Sequence, residues 1–430
     1  MGAEPGYRLR NLVWLAASAT ALVCLVLQLR ACLPWIVAPT SPPAVTRLDT
    51  PAALTPFFTE LAGVEHQQIR ILQLGDSHTA NDSLSGRLRD RFQERFGDAG
   101  RGWLPAGIPF AYYRPHQLSV SETGWKHPRP GDHQSGLFFG LDAVDAVSEQ
   151  PASDMTLDSS DPAGFDRVAV EYLARPDSAA FTLAVDGAAP SRVSSSAAND
   201  ALARFELPLD RPAHHLELQP AEGSPVVLLA WGVERRAPGV IYENHGTIGA
   251  TVDILAQMTP QAVAYELAER RPSLIVIAFG TNEGFGDSLD LDGYARRFRA
   301  AIGEIQRRAP QAAILVLGTP DANRAAHGCN PAPARCGSAA DECTWQEPPK
   351  LAGVRQVQRH IARDSGWAYW AWFDAMGGTC SIDRMTRASP PLAMPDHVHL
   401  TKAGYEAMAD ALFTDLMRAY DDWRIHPPTS

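Results

Sequence analysis

Ser77 stands in Gly75-Asp76-Ser77, directly after the apolar run Ile71-Leu72-Gln73-Leu74. A run this short reads as a buried strand that stops at the glycine. Leu84, Leu88, Phe92 and Phe96 then recur every fourth residue and give the next helix one apolar stripe. A serine in such a strand-to-helix turn lies near backbone N–H groups that favour negative charge, so it is a candidate nucleophile. On their own, Asp76 and Ser77 suit a helix cap better than an active site, so what else reaches the same place decides. His399 follows Asp396 by three residues, and one tight turn can bring that carboxylate to a ring nitrogen. Asn282, in Gly280-Thr281-Asn282, and the backbone N–H groups of Ser77 and Gly249 can serve as donors to an oxyanion. Acyl transfer by serine needs this set of base, orienting acid and donors. Losing one donor typically costs about 2.7–4 kcal/mol of transition-state stabilisation.

The elements carrying these residues share one design. Apolar strands at Val240–Glu243, Leu274–Phe279, Ala313–Leu317 and Trp367–Phe373 alternate with amphipathic helices, and several end at glycine followed by polar residues. Such alternation predicts a parallel sheet covered on both faces, with the turns along one edge. Ligand sites of α/β folds lie at that edge. Between residues 110 and 236 the helical period nearly vanishes. Short stretches at Gly136–Gly140, Arg167–Leu173, Ala180–Val185, Arg204–Leu207, His214–Leu218 and Pro225–Val233, separated by turns such as Asp186-Gly187, predict an inserted β-sandwich. The expected organisation is an N-terminal targeting segment (1–38), a linker (39–56), a first α/β part (57–109), the insertion (110–236) and a second α/β part (237–430).

A formal net charge of −11 and no basic stripe argue against a nucleic-acid partner. Arg8 and Arg10 precede a charge-free apolar run from Leu12 to Leu27, between a signal-peptide core and a full span of about 20 residues in length. Arg30 interrupts a small-x-small cleavage site, so the segment reads as a retained signal anchor ahead of a cleaved signal peptide. The Pro-, Thr- and Ala-rich stretch from Pro39 to Pro56 suits a linker holding a domain off the inner membrane. Cys24 and Cys32 belong to the membrane segment. Cys329, Cys336, Cys343 and Cys380 can form two disulfides in an exported protein, in any of three pairings. Their intervals are too wide for a close zinc motif, and no metal or cofactor is called for.

The sequence resembles the SGNH (GDSL-type) hydrolases. Gly75-Asp76-Ser77, Asn244-x-Gly246-x-x-Gly249, Gly280-x-Asn282-Glu283 and Asp396-x-x-His399 match the four blocks of that family in order, with Glu283 where aspartate is more usual. The resemblance covers about residues 65–109 and 237–423. It implies a flavodoxin-like three-layer α/β/α fold and cofactor-free ester hydrolysis or acyl transfer. Ser77 would be the nucleophile, Asp396 and His399 the other triad members, and Gly249 and Asn282 the oxyanion donors. A narrower resemblance is to the peptidoglycan O-acetylesterases, whose inserted β domain is similar to a carbohydrate-binding module. It rests on Gly75–Thr79, Gly100-Arg101-Gly102-Trp103, the β insertion, Met376-Gly377-Gly378 and His399-Leu400-Thr401-x-x-Gly404-Tyr405.

The resulting expectation is an exported, membrane-anchored esterase removing O-acetyl groups from a cell-envelope polysaccharide such as peptidoglycan. The alternatives are an O-acetyltransferase with the same triad and a non-catalytic glycan-binding protein. His397 is expected to be exposed or substrate-facing, and Asp76 to tie the nucleophile turn together. His78 and His245 are expected either to line the pocket or to hydrogen-bond within their turns. Trp345 is a candidate for stacking on sugar, whereas Trp367, Trp370 and Trp372 share one predicted strand and read as core.

Overall fold

The structure is a computed structural model and describes residues 47–132, 136–148, 152–178, 180–221, 225–325 and 345–427. The predicted membrane run, residues 39–46 of the predicted linker, and Cys24, Cys32, Cys329, Cys336 and Cys343 lie outside the described residues. The rest of that predicted linker is folded rather than extended: Leu48–Asp49 is a strand and Pro51–Leu54 a short helix, with Leu48 and Leu54 in the apolar core. Among the described residues no helix is long and apolar enough to cross a membrane. Cys380 is disulfide-bonded.

Strand Gln68–Gly75 lies inside a six-stranded sheet, between Gly239–Gly246 and Leu274–Ala278. Ala313–Leu317 and Ala368–Trp370 continue the sheet in parallel. Leu48–Asp49 closes that edge antiparallel. Counted along the chain, the five parallel strands run 2-1-3-4-5, the flavodoxin-like order, whose switch point flanks the first strand. Register fixes what meets there: Gly75 faces Gly246 on one side and Ala278 on the other.

Alternation along the strands divides the core. Ile69 and Ile71 pack with Phe57, Phe58, Leu88, Phe92 and the C-terminal helix Lys402–Ile425. Leu72 and Leu74 pack with Tyr294, Phe298, Ile302 and Ile361 on the other face. This period-2 split gives one strand two buried faces.

Residues 100–234 add two facing antiparallel sheets. One orders Ser191–Ser194, Ala180–Val185, His215–Pro220, Asp154–Ser159 and Leu118–Thr123. The other orders Ala201–Ala213, Phe165–Ala174, Val227–Glu234, Ala146–Ser148 and Trp125–Lys126. Met155, Leu157, Phe181, Leu216, Val170 and Trp231 fill the space between them. Gly100–Pro105, despite its two glycines and terminal proline, is a strand paired with Val227–Glu234. Gly136–Gly140 is not a strand. Its end runs past helix Pro260–Arg270 instead, where Leu141 N–H donates to Glu266. The predicted strand Trp367–Phe373 is shorter than expected: Ala368–Trp370 is strand, and Trp372–Met376 is already helix. Trp367, Trp370 and Trp372 are buried, as read.

Buried ions join the layers. Arg70 pairs with Glu234 of the sandwich and Glu243 of the parallel sheet. Arg270 pairs with Glu171 and Glu266, and its guanidinium lies 5.0 Å from the ring of Trp103. Asp82 is the most connected of these ions. Its Oδ1 accepts from Ser85 Oγ (2.7 Å), Arg89 Nη2 (3.1 Å) and Asn244 Nδ2 (3.1 Å). Its Oδ2 accepts from the His116 backbone N–H (2.8 Å) and Arg101 Nη2 (3.2 Å). Burial alone would raise the Asp82 pKa, but the guanidiniums of Arg89 and Arg101 outweigh it and hold the carboxyl well below its ordinary range.

Removing one member of a buried pair strands the other. Asp82→Ala is expected to lower unfolding free energy by about 3–5 kcal/mol. Asp410→Ala, at the half-exposed Arg87 pair, should cost about 1 kcal/mol or less. Urea titrations of the two variants check this; equal midpoints would sink it.

Candidate active site

The turn after Gly75 is set by close packing. A Cβ on Gly75 would stand 2.2 Å from Thr79 Oγ1 and 2.8 Å from the Ala278 carbonyl oxygen, and one on Gly246 would stand 2.2 Å from the Ala80 nitrogen. Only glycine lets the strand ends and the nucleophile helix approach this closely. Asp76 caps the short helix Ser77–Ala80 by accepting the His78 N–H at 2.9 Å, the tying role read for it. Burial, with help from nearby Glu283, pushes the Asp76 carboxyl up to about 7. From within the sheet, Gln73 donates to Thr79 Oγ1 (2.9 Å) and accepts from Tyr242 Oη (2.7 Å).

Ser77 Oγ lies 2.9 Å from His399 Nε2, and His399 Nδ1 lies 2.7 Å from Asp396 Oδ2. The chain assigns the protons: Nδ1–H donates to the carboxylate, leaving Nε2 to accept from the serine hydroxyl. Asp396 Oδ1 accepts two backbone N–H groups, from Val398 (2.9 Å) and His399 (3.0 Å). Partial burial pushes the Asp396 carboxyl up, but the hydrogen bonds from the His399 ring and these N–H groups prevail and hold it down at about 2. The hydrogen bond to Asp396 raises the His399 pKa, against partial burial.

The histidine turn is braced from behind. Met394 N–H donates to the His399 carbonyl (2.7 Å), and Asn323 N–H to the His397 carbonyl (2.8 Å). His397 itself holds a left-handed conformation, φ +54°. Such a conformation in a non-glycine residue persists where its surroundings fix it. Here Asp383 binds His397 Nδ1 at 2.5 Å, and the Trp345 ring stacks on the imidazole with centroids 3.8 Å apart. His397 is therefore neither exposed nor free to face substrate: it is buried, and Trp345 covers it.

Behind His399, His78 binds Tyr405 Oη through Nδ1 at 2.8 Å, with its ring centre 5.3 Å from that of His399. Burial, and then the charge on His399, lower its pKa to about 3, so it is neutral at neutral pH. His245 is the opposite case. Burial works against its charge, but Asp142 and Glu243 on its two nitrogens prevail and raise its pKa to about 9. Both histidines hydrogen-bond internally.

Gly249 occupies the third position of a turn closed by Ala250 N–H to the Thr247 carbonyl, with φ +71° and open space where a side chain would stand. Thr247 N–H donates to the Gly75 carbonyl at 2.9 Å, tying this loop to the nucleophile strand. Asn282 Nδ2 donates to the Ala250 carbonyl (2.8 Å), and Glu283 Oε1 accepts the Val252 N–H (2.8 Å). Asn282 and Glu283 thus clamp the loop that carries Gly249. Asn244 has a different task, donating to Thr79 O (2.6 Å) and Ser85 Oγ (2.6 Å) and so fastening the nucleophile helix. Among the described residues no group of three or more His, Cys, Asp or Glu side chains is arranged to hold a metal ion.

A solved structure of a peptidoglycan O-acetylesterase superposes on this chain with a TM-score of 0.72 at 25% identity, covering 87% of this chain and 99% of that one. The GDSL-like Lipase/Acylhydrolase family matches residues 219–407, which include Gly249, Asn282, Asp396 and His399 and begin after Ser77. The chain resembles the SGNH hydrolases. An acetyl xylan esterase (14% identity, 41% of this chain and 80% of that chain, TM-score 0.30) aligns too weakly to carry an argument. The same holds for a family two carbohydrate esterase from Cellvibrio japonicus (12% identity, 71% and 99%, TM-score 0.27). No curated protein sequence matches this chain. One sheet edge of this chain carries a serine, a histidine with its carboxylate, and a glycine turn clamped by an asparagine.

No pattern in the sequence disclosed the brace behind this site. Asp383, Asn323 and Trp345 lie in loops and short elements without periodic pattern, and only Trp345 was singled out, for another task.

A serine activated by His399 should be phosphonylated by an organofluorophosphonate faster as His399 loses its proton with rising pH. Asp396→Asn removes the hydrogen bond that raises the His399 pKa. The acid limb of the rate profile should therefore move to lower pH, and the plateau rate should fall by about 10³–10⁴-fold. Mass spectrometry of the labelled protein across pH measures both, and an unmoved limb with an undiminished plateau would count against this assignment.

Proposed function

We propose that this protein is a serine esterase that removes O-acetyl groups from a cell-envelope polysaccharide, with peptidoglycan the leading substrate. The observation that carries the reading is the unbroken hydrogen-bond chain Ser77–His399–Asp396. It occurs in a fold that spans 99% of a peptidoglycan O-acetylesterase.

The chemistry follows from the proton positions. Ser77 Oγ attacks the acetyl carbonyl carbon while its proton passes to His399 Nε2. The resulting imidazolium is stabilised by Asp396, whose lowered pKa keeps it ionised. Negative charge on the former carbonyl oxygen is met by the backbone N–H groups of Ser77 and Gly249 and the Asn282 amide. The tetrahedral intermediate collapses, His399 returns the proton to the departing sugar oxygen, and Ser77 is left acetylated. Water then attacks this ester with His399 again as base, and acetate leaves. The proton from that water passes through His399 back to Ser77 Oγ, so the enzyme is regenerated. Acetyl is small, so affinity must come from the saccharide around it.

An exported, membrane-held location agrees with this substrate. The apolar N-terminal run behind Arg8 and Arg10, the linker after it and the disulfide at Cys380 all support it.

The test is acetate release from O-acetylated peptidoglycan and from an aryl acetate. Wild type should act on both, and Ser77→Ala should lose on the order of 10⁴-fold or more in kcat. Release from the aryl ester alone would reject the polysaccharide, and release from neither would reject the esterase. Acetyl appearing on added chitooligosaccharide in place of free acetate would make the enzyme a transferase.

A further inference from the structure

Most aromatic rings of this protein are buried, but Tyr112 is 60% exposed. It sits at the third position of a tight turn closed by Tyr113 N–H to the Phe110 carbonyl at 2.9 Å. The turn is held rigidly. Arg129 Nη2 donates to the Pro109 carbonyl (2.9 Å), Arg114 Nη1 donates to the Tyr113 carbonyl (2.7 Å), and Tyr113 is buried. Phe110 is half-buried, and its ring lies 5.1 Å from that of Tyr112 and 5.3 Å from that of Tyr113. The exposed ring is thus backed by Phe110, which itself packs on the buried Tyr113, and cannot fold away without leaving that cluster.

The place of the turn gives this exposure a meaning. Phe110 and Tyr113 line a small cavity together with Ala80, Gly246, Thr247 and Ile248. Ala80 ends the helix that begins at Ser77, and Ile248 precedes Gly249, beside which the space is open. The aromatic turn therefore borders both the nucleophile helix and the glycine turn. A fixed, exposed ring beside a cleft of mixed polar and apolar lining suits a ligand with one apolar face and a polar rim.

We propose that Tyr112, backed by Phe110, is a stacking platform for a pyranose ring of the polysaccharide, next to the sugar that carries the acetyl group. The C–H face of the pyranose covers the phenol ring, and the sugar hydroxyls remain in water. This deepens the esterase reading above and rests on it for the identity of the glycan. Because the turn is held in place before binding, little ordering is lost when the sugar arrives.

The full chain is assayed as wild type, Tyr112→Ala and Tyr112→Phe. The readouts are kcat/KM on O-acetylated peptidoglycan, kcat/KM on an aryl acetate, and chitotetraose affinity by calorimetry. The ratio of glycan to aryl-ester kcat/KM should fall by roughly three- to tenfold in Tyr112→Ala, through KM, and stay near wild type in Tyr112→Phe, which keeps the ring. An unchanged ratio in Tyr112→Ala overturns the platform, and is the outcome expected if Tyr112 instead meets a protein partner. Should wild type release acetate from neither ester, the esterase reading fails and chitotetraose decides alone. Affinity reduced in Tyr112→Ala then keeps the platform, and undiminished affinity overturns it.

Discussion

The active edge depends on one buried carboxylate that touches no reacting atom. Asp82 lies five residues beyond Ser77, and its six hydrogen bonds come from four separate parts of the chain. Through Asn244 it reaches the second parallel strand, through Arg101 the first strand of the sandwich, through the His116 N–H the segment that carries the aromatic turn, and through Arg89 and Ser85 its own helix. A buried ion is tolerable only when its neighbours compensate it fully, and that demand fixes all of them in position at once. The glycine contacts at Gly75 and Gly246 then leave the nucleophile turn almost no freedom.

The histidine side of the site is solved by other means. His399 must meet Ser77 from a loop after the last strand, where no parallel neighbour sets its register. The chain uses backbone bonds from Met394 and Asn323, a left-handed residue at His397, and an aromatic cover from Trp345. Burial of His78 keeps that ring neutral, so no second cation competes with the imidazolium that forms on His399. His245, charged and boxed by Asp142 and Glu243, serves the joint between sheet and sandwich.

Local pattern carried much of this into the sequence. Strands with two buried faces are apolar throughout, and polar residues follow their ends, so Leu274–Ala278 and Ala313–Leu317 were legible, and so was the meeting of Ser77, His399 and Asp396 at one edge. The sandwich was legible only where its strands alternate strongly. Ala180–Val185 was found with its bounds, whereas Leu118–Thr123 and Ser191–Ser194, polar strands at sheet edges, were not. Gly100–Pro105 has a turn's composition, with Gly100, Gly102 and Pro105 among its six residues, yet pairing with Val227–Glu234 overrides that propensity. His397 was misplaced for a related reason: its burial comes from Trp345 and Asp383, which are 52 and 14 residues away in sequence.

The joint between the α/β layers and the sandwich uses charge where an apolar contact would have served stability as well. Arg70, Glu234, Glu243, Arg270, Glu171 and Glu266 are all buried or nearly so. Against burial, Arg270 draws the Glu171 and Glu266 carboxyls toward ionisation, yet both remain above their ordinary range. Buried ion pairs contribute little net stability compared with apolar packing, but each has few acceptable geometries. A greasy joint could slide by a fraction of a side chain at small cost; this one cannot, because any shift strands a charge. The sandwich is therefore held in fixed register against the sheet edge, and the turn from Phe110 to Tyr113 takes its position from that constraint.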